Sequence, residues 1–579
     1  MLTDDSCVVR AFSLLHSLLG PKDLLGGAAR GRDFISWADN ERNYDSSILA
    51  VVPKNFRLGS HGRDMGKAGI FHGRYVCCHD IVESSYRNRY PTLFTPSEVP
   101  RHFEIRRARE WLDYCTANHR TCSRMGAGPI DIALIDCASA FIVSGIPGAQ
   151  YVALSYVWGR GPQFSWDAGT RRLPRELSRV VQDAIKVTKK LGFDYLWVDK
   201  YCIDQGNERE KHAQIRQMDL IYHGAAVTLI AAAGNDEDTG LAGISAPRNV
   251  CQTTIALSDY GVGLAVPLRP VQEVIRQSRW ATRGWTYQEA FLSRRRLVFT
   301  DQEVYFECDG MSCKESMAML LPESHVADKS RILPFMPAGI FGLAQLEAEM
   351  WNRRTSWKSG VNMDRERNWM MVTTCIKEYT SRTLSYASDS LNAFEGVLRS
   401  FENTANAPIR HLWGMPFVPH SAKSAKLPDS TSPLSLFLSG LCWFHIRRTE
   451  APIQRRPQFP SWSWSGWSGP VDGFLDPVEF YPHVREAYLE DAAGNRIPFD
   501  RHSVETPVQS HASRILVLDT YFLLGGDWEI PFGSRQEGTL GSGDIKIVVL
   551  GLEGVITLDD PGTSLERLRT LKADRKVGW

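Results

Sequence analysis

The middle of this 579-residue chain predicts an α/β fold built on a mainly parallel sheet with helices on its faces. Three observations predict it. Apolar, β-prone runs recur near 151–157, 195–203 and 227–232. Helical patterns of apolar residues separate them, and each run ends in turn or capping residues. Strand–helix–strand–helix–strand is the order that places parallel strands side by side with crossover helices. The second half, from about 312 to the end, alternates helical patches with short strands and turns rich in Pro, Ser and Gly, and predicts an α+β region.

Residues 20–73 are rich in Gly, Arg and Asp with little periodicity and predict a loosely structured lead-in. From 101 to 122 the pattern turns helical, with Ile105, Ala108, Trp111 and Leu112 at core-like spacing. Strand-like segments follow at 132–136 and 140–143. The first apolar run, 151–157, ends in a turn at 158–162. Leu177, Val180, Val181, Ala184, Thr188 and Leu191 then mark one face of a helix that starts near Pro174 and stops at Gly192. After the strand at 195–203, Asn207 with Glu210 three residues on forms a capping box. Ile215, Met218 and Tyr222 give that helix its apolar face, and Gly224 ends it. Residues 225–233 and 434–444 are the greasiest stretches and read as buried strands. An irregular insertion runs from 234 to 282. A short helix at 286–292 and a hairpin of 296–300 with 303–308 around Asp301 and Gln302 follow it. Farther on, 368–380 reads as a helix and 422–433 as a surface loop.

Length and composition bound the function. At about 150 residues per domain the chain holds three or four units. Its 67 Lys plus Arg against 66 Asp plus Glu leave a net charge of +1, which argues against a dedicated nucleic-acid binder, since phosphate neutralisation needs a Lys/Arg surplus. No run reaches the roughly 18 apolar residues of a membrane-spanning helix, so no membrane insertion is expected. The apolar run 11–19 follows Asp4 and Asp5 instead of a basic segment, unlike a secretory signal. Twelve cysteines, sparse and unpatterned, fit a reducing compartment, and a cytoplasmic location is expected. The 17 Trp, 18 Tyr and 25 Phe are unusual in number and belong to cores, interfaces or ligand walls.

No phosphate-binding Gly loop, dinucleotide fingerprint, zinc-protease helix or nucleophile elbow occurs. Cys115, His119 and Cys122 could supply three zinc ligands, with Cys77, Cys78 and His79 upstream as fourths, but the spacing departs from the usual paired template. The alternative is a helix-buried thiol with a capping His, and no metal is assigned. A stronger cluster falls at the carboxyl ends of the first two strands, where open parallel sheets bind ligands. There Ser155, Trp158, Trp197, Asp199, Asp204 and Gln205 could wall a pocket for a planar polar ligand; equally, Trp158 and Trp197 belong to the core and Asp204 caps the next helix. A third cluster is RGWTYQE at 283–289, in which Trp285 and Glu289 share a helix face as i and i+4 neighbours. An apolar wall beside a carboxylate raises its pKa; the plainer reading pairs Glu289 with Arg283 or Arg294 on the surface.

Three strings in this order, YVALSYVWG at 151–159, LWVDKYCIDQ at 196–205 and RGWTYQE at 283–289, resemble the signature of the fungal heterokaryon-incompatibility (HET) domain family. Trp111, Leu112, Cys115, His119 and Cys122 resemble the segment that often precedes that domain. Arg382, Leu384, Asp389, Leu391, Ala393, Phe394 and Gly396, and later PSWSW at 460–464, resemble its C-terminal extension. The resemblance implies a variable N-terminal region over 1–100, a lead-in over 101–150, the HET domain over 151–310 and the extension over 311–579. It implies a cytosolic protein of fungal non-self recognition whose domain triggers programmed cell death, and a fold similar to the Toll/interleukin-1-receptor (TIR) domain. Some TIR domains cleave NAD+ with a Glu four residues after a Trp. By that analogy Glu289 is the candidate catalytic residue, and Ser155, Trp158, Asp199, Asp204, Gln205, Arg283 and Trp285 are candidates to hold NAD+ as substrate, with no other cofactor implied. The alternative is a non-enzymatic module that works through protein partners or self-association.

Overall fold

A computed structural model describes residues 94–123, 132–159 except 145 and 147, 171–250, 252, 268–332, 339–341, 363–404, 407–419, 433–446 and 453–474. It also describes short strands nearer the termini and at 254–257 and 262–265. The apolar run at 11–19 and, apart from Pro433, the expected loop at 422–433 lie outside the described residues. Two compact units emerge: Met1–Thr282 with Glu289–Arg353, and Arg283–Gln288 with Arg354–Trp579.

In the first unit, helices Ile105–Asn118 (α1) and Arg120–Ser123 (α2) precede a hairpin of Ala133–Asp136 (β1) with Phe141–Ser144 (β2). Strand Tyr151–Ser155 (β3) follows, then helix Arg179–Leu191 (α3). Gly192, at φ 89°, closes α3 in the left-handed conformation that only Gly adopts without strain. Its N–H reaches Lys189 O while that of Phe193 reaches Thr188 O, the paired bonds that end a helix. Strand Tyr195–Trp197 (β4) comes next, then helices Asp199–Cys202 (α4), Glu208–Ile215 (α5) and Met218–Gly224 (α6). Strand Val227–Ala231 (β5), helix Val271–Gln277 (α7), helix Gly284–Leu292 (α8) and strands Arg295–Phe299 (β6), Val304–Cys308 (β7) and Ser312–Lys314 (β8) complete the run. Helix α8 crosses the division: its first five residues count with the second unit and its last four with the first.

These strands form one eight-stranded sheet in the order β8-β7-β6-β5-β3-β4-β1-β2. The middle four, β6, β5, β3 and β4, are mutually parallel, and antiparallel hairpins flank them on both sides. Every residue of β3, β5, β6 and β7 is buried, as in strands covered on both faces. The chain leaves β3 for β4 on one side and returns with β5 on the other. That reversal is the switch point beyond whose strand ends parallel sheets hold their ligands. A core cluster on this unit joins Val157, Ile230, Ala232, Val271, Ile275, Trp280, Ala290, Val298 and Tyr305.

Several expectations change. The strand expected over 195–203 is only three residues long. Its pairing stops at Trp197, opposite Ala153, and the chain turns into α4, where the Asp199 carboxylate accepts from the Lys200 N–H at 2.7 Å. An Asp in the first turn favours a helix start. Residues 434–444, expected as a strand, form helix Pro433–Gly440 before the two-residue strand Phe444–His445; a short apolar run does not reveal its own period. The capping-box helix is two helices, α5 and α6, and the box is half formed, because the Asn207 backbone N–H donates to Asp204 O at 3.3 Å and not to the Glu210 side chain. Asn207 Oδ1 accepts from Glu210 N, and Asn207 Nδ2 donates to Glu210 Oε2, both at 3.2 Å. Neither the lead-in nor the insertion is wholly irregular. Gly26–Arg30, Ser47–Val51 and Tyr75–Asp80 join Val262–Ala265 and Thr254–Leu257 in an antiparallel sheet, and the insertion also carries α7.

The second unit contains helices Met363–Thr380 (α9) and Asn392–Glu402 (α10) and a hairpin of Arg410–Leu412 with Met415–Phe417. Trp413 and Gly414, at φ 54° and 91°, turn that hairpin. A Cβ on Gly414 would come within 2.7 Å of the Trp464 ring. Trp464, fully buried, packs edge-on against Phe394 and Tyr379 and donates to Gly414 O at 2.8 Å.

Candidate functional site

The carboxyl ends of the parallel strands carry a connected set of polar side chains. Ser155, the last residue of β3, is 1% exposed, and its hydroxyl donates to Glu289 Oε2 on α8. Trp280 Nε1 donates to the same hydroxyl oxygen at 2.7 Å. Glu289 is 5% exposed. Its backbone carbonyl accepts from Ser293 Oγ at 2.6 Å, and Ser293 Oγ also lies 2.6 Å from Thr228 Oγ1 on β5. Glu289 and Ser293, within the first unit, are thereby tied to two strands of the sheet. Tyr222 on α6 is buried nearby, and burial, reinforced by the Glu289 and Asp199 charges, pushes its hydroxyl well above the ordinary range. It remains a neutral donor at any physiological pH.

Past β3 and β4, the half-buried Trp158 donates from Nε1 to both oxygens of Asp199, at 3.0 and 2.9 Å. The next residue, Lys200, is buried and pairs with buried Glu237 beyond β5, with Nζ 3.1 Å from each carboxylate oxygen. Gly159 lies against that carboxylate: a Cβ there would stand 2.5 Å from Glu237 Oε1. Only a residue without a side chain lets the turn after β3 approach so closely. Burial, with the Glu237 charge, raises the Tyr201 hydroxyl to about 12. Trp158 to Asp199 thus links the ends of β3 and β4, Lys200 to Glu237 links the ends of β4 and β5, and Ser155 to Glu289 joins the end of β3 to a residue of α8.

Each residue expected at the site has a definite place. Ser155 and Glu289 touch each other, and Trp158 and Asp199 touch each other. Asp204 caps the following turn, its Oδ1 accepting from Gly206 N at 3.0 Å. Gln205, buried, donates to the carbonyls of Asp199 and Ile203 at 3.3 Å. Trp197 is a core residue, fully buried, with its ring edge-on to Tyr222 at 5.4 Å. Arg283 and Trp285 count with the second unit. There Trp285 Nε1 donates to Asp389 at 2.9 Å, and Arg283 O accepts from Arg382 at 3.3 Å. Lys200, Glu237 and Trp280 are the participants that sequence reasoning did not assign. Lys200 stands inside the second signature string, and Glu237 and Trp280 fall in the stretch expected to be irregular. A surface cavity lined by Glu104, Ile105, Arg106, Arg109 and Lys190 is formed by α1 and α3 and takes no part in this network.

The second unit explains why the third signature string and the C-terminal motif occur together. Gly284 N donates to Thr383 O at 2.7 Å, and a Cβ on Gly284 would meet the Leu384 side chain at 2.4 Å. Tyr287 OH donates to Glu378 at 3.1 Å, with the Arg382 guanidinium 4.8 Å from its ring centre. Gln288 Oε1 accepts from the backbone N–H of Gly396 at 2.8 Å. Leu384, Asp389 and Gly396 of the C-terminal motif are thus direct partners of Gly284, Trp285 and Gln288.

Elsewhere in the first unit the donor atoms of Cys115, His119, Cys122 and Cys308 lie within 4.8 Å of one another, and all four residues are buried. Cys115 and His119 sit at the end of α1, Cys122 in α2, and Cys308 at the end of β7. Cys77, Cys78 and His79 fall in strand Tyr75–Asp80, whose side chains are outside the described residues.

Residues 151–289, from the first residue of β3 to Glu289, match the family model described as heterokaryon incompatibility protein (HET). No curated protein and no solved structure matches the chain.

Proposed function

With a heterokaryon-incompatibility (HET) domain over residues 151–289 as the premise, we propose that this protein signals in fungal non-self recognition and triggers incompatibility-type cell death by cleaving NAD+. The observation that carries the enzymatic part is the Glu289 carboxylate, brought by α8 to the end of the central strand β3 and held there by Ser155. A carboxylate fixed beyond the switch point of a parallel sheet is where a nucleotide ligand would be met. In NAD+ cleavage the bond from ribose C1′ to the nicotinamide nitrogen breaks, the electron pair leaves with neutral nicotinamide, and positive charge develops at C1′. Glu289 would stabilise that charge, as carboxylates do in glycosidic cleavage, before water adds to C1′ and gives up a proton. Ser155 and Trp280 would hold the carboxylate's position, while Trp158 and Asp199 would face the nucleotide. In this reading the domain is TIR-like in both fold and chemistry, and the protein works in the cytoplasm.

The test follows NAD+ by chromatography with the purified full chain, wild type against Glu289→Gln and Glu289→Ala. Both substitutions should lower turnover at least about 100-fold, the scale of losing one charge-stabilising group. Absence of turnover by wild type at high protein concentration, including after forced oligomerisation, would sink the reading.

A specific observation favours a second reading. Glu289 is almost wholly buried and its carboxylate already accepts from Ser155, as a structural strut would. The domain would then act as a non-enzymatic module through protein partners or self-association. Expression of Glu289→Gln in cells discriminates the two, because that variant retains the hydrogen bond to Ser155. Continued killing supports assembly, and loss of killing by a well-folded variant supports catalysis.

A further inference from the structure

We propose that Cys115, His119, Cys122 and Cys308 form a closed structural zinc site that fastens the end of helix α1 to the end of strand β7. The four donor atoms lie within 4.8 Å of one another. Zinc takes tetrahedral sets of Cys and His at about 2.3 Å to sulfur and about 2.0–2.1 Å to nitrogen, which places neighbouring donors roughly 3.4–3.8 Å apart. His119 Nδ1 and Cys308 Sγ already stand at 3.3 Å. Contraction of the rest by a few tenths of an ångström to about an ångström completes the tetrahedron.

The hydrogen bonds around the cluster orient the imidazole for ligation. His325 Nδ1 lies 2.5 Å from Leu321 O, and a carbonyl can only accept, so Nδ1 carries the proton. Nε2 of a neutral His325 ring is then an acceptor, 3.1 Å from His119 Nε2, which must donate to it. His119 is left with its lone pair on Nδ1, the nitrogen that faces the sulfurs. Zinc-bound histidines are held in this way by a partner on the far ring nitrogen. Gly310 makes room for the ring: a Cβ there would stand 2.7 Å from His119 Nδ1.

Charge also fits. Three thiolates and a neutral imidazole around Zn2+ leave one negative charge, and Arg295 Nε donates to Cys115 Sγ at 3.1 Å. The end of α1 adds its carbonyl dipoles beside the cation. All four protein ligands are buried and they fill the coordination shell, so no position is open for a water or substrate. Such a site is structural and not catalytic. Soft sulfur ligands with imidazole in a tetrahedral set select zinc over calcium or magnesium.

The experiment measures metal in the full chain purified from zinc-supplemented culture, by inductively coupled plasma mass spectrometry. One zinc per chain is expected for wild type, a loss of at least about fivefold for Cys308→Ser and Cys122→Ser, and full content for Cys375→Ser, a buried cysteine of the second unit. Should the ligand variants fail to fold, X-ray absorption on wild type decides, with three sulfurs and one nitrogen expected around zinc. A wild type without stoichiometric zinc, zinc retained in folded Cys308→Ser, a different ligand shell, or a mapped disulfide among the three cysteines would overturn the proposal.

Discussion

At the scale of single residues, Ser155 joins two buried side chains of the candidate site. Its hydroxyl donates to Glu289 and accepts from Trp280, both through buried atoms. Ser155→Ala removes the group that joins them, and with neighbours this buried the cost should be about 1–3 kcal/mol. Glu289→Gln keeps an acceptor for the hydroxyl and should cost less than Ser155→Ala. Urea denaturation of the two variants beside wild type checks the order, and a reversed order would mean that Ser155 is not the joint. The Ser155–Glu289 contact was half legible in sequence. In the sequence Ser155 stands out because it ends a strand, and Glu289 because it shares a helix face with Trp285. Nothing in a periodicity can show that two residues 134 positions apart meet. Cys308 shows the same limit: Cys115, His119 and Cys122 share a local spacing, whereas the fourth member comes from a strand far along the chain.

At the scale of elements, legibility followed the strength of the local code. Strand β3, helix α3 with its Gly192 terminus, β5 and the β6–β7 hairpin were readable, because apolar pattern and turn residues agreed. The run 195–203 was not, since Asp199 starts a helix within a stretch as apolar as the strand before it. The capping box is the most local of these signals, and its N-cap bond forms, with Asn207 Oδ1 accepting from Glu210 N. Asn207→Ala should destabilise the first unit by about 1 kcal/mol, and Asn207→Asp, which keeps an acceptor for Glu210 N, by much less. Equal losses in thermal denaturation would show that α5 does not depend on its cap. Helix α8 shows why one short string can look like a signature. Glu289 faces Ser155 within one unit, while Gly284, Trp285, Tyr287 and Gln288 are each held by residues 378–396 within the other.

At the scale of the molecule, the sheet reaches beyond the segment that carries the family match. The match ends at Glu289, three residues short of the end of α8. Strand β6, the parallel neighbour of β5 from Thr228 to Ala231, begins only at Arg295. The hairpin β1–β2 that covers the other side of the parallel strands is finished before Tyr151. A fragment cut at 151 and 289 would therefore leave β4 and β5 as bare edges. Strand β5 is apolar but for Thr228, offers no Pro or charge, and would present a row of unpaired backbone groups to any copy of itself. That fragment should collect in the insoluble fraction on expression, while the full chain stays in solution; a soluble, monomeric fragment with native-like circular dichroism would refute this. The lateral reach of one sheet thus decides which pieces of the chain can be handled alone, and a sequence boundary drawn at Glu289 would convert a fully buried strand of the domain into an adhesive one.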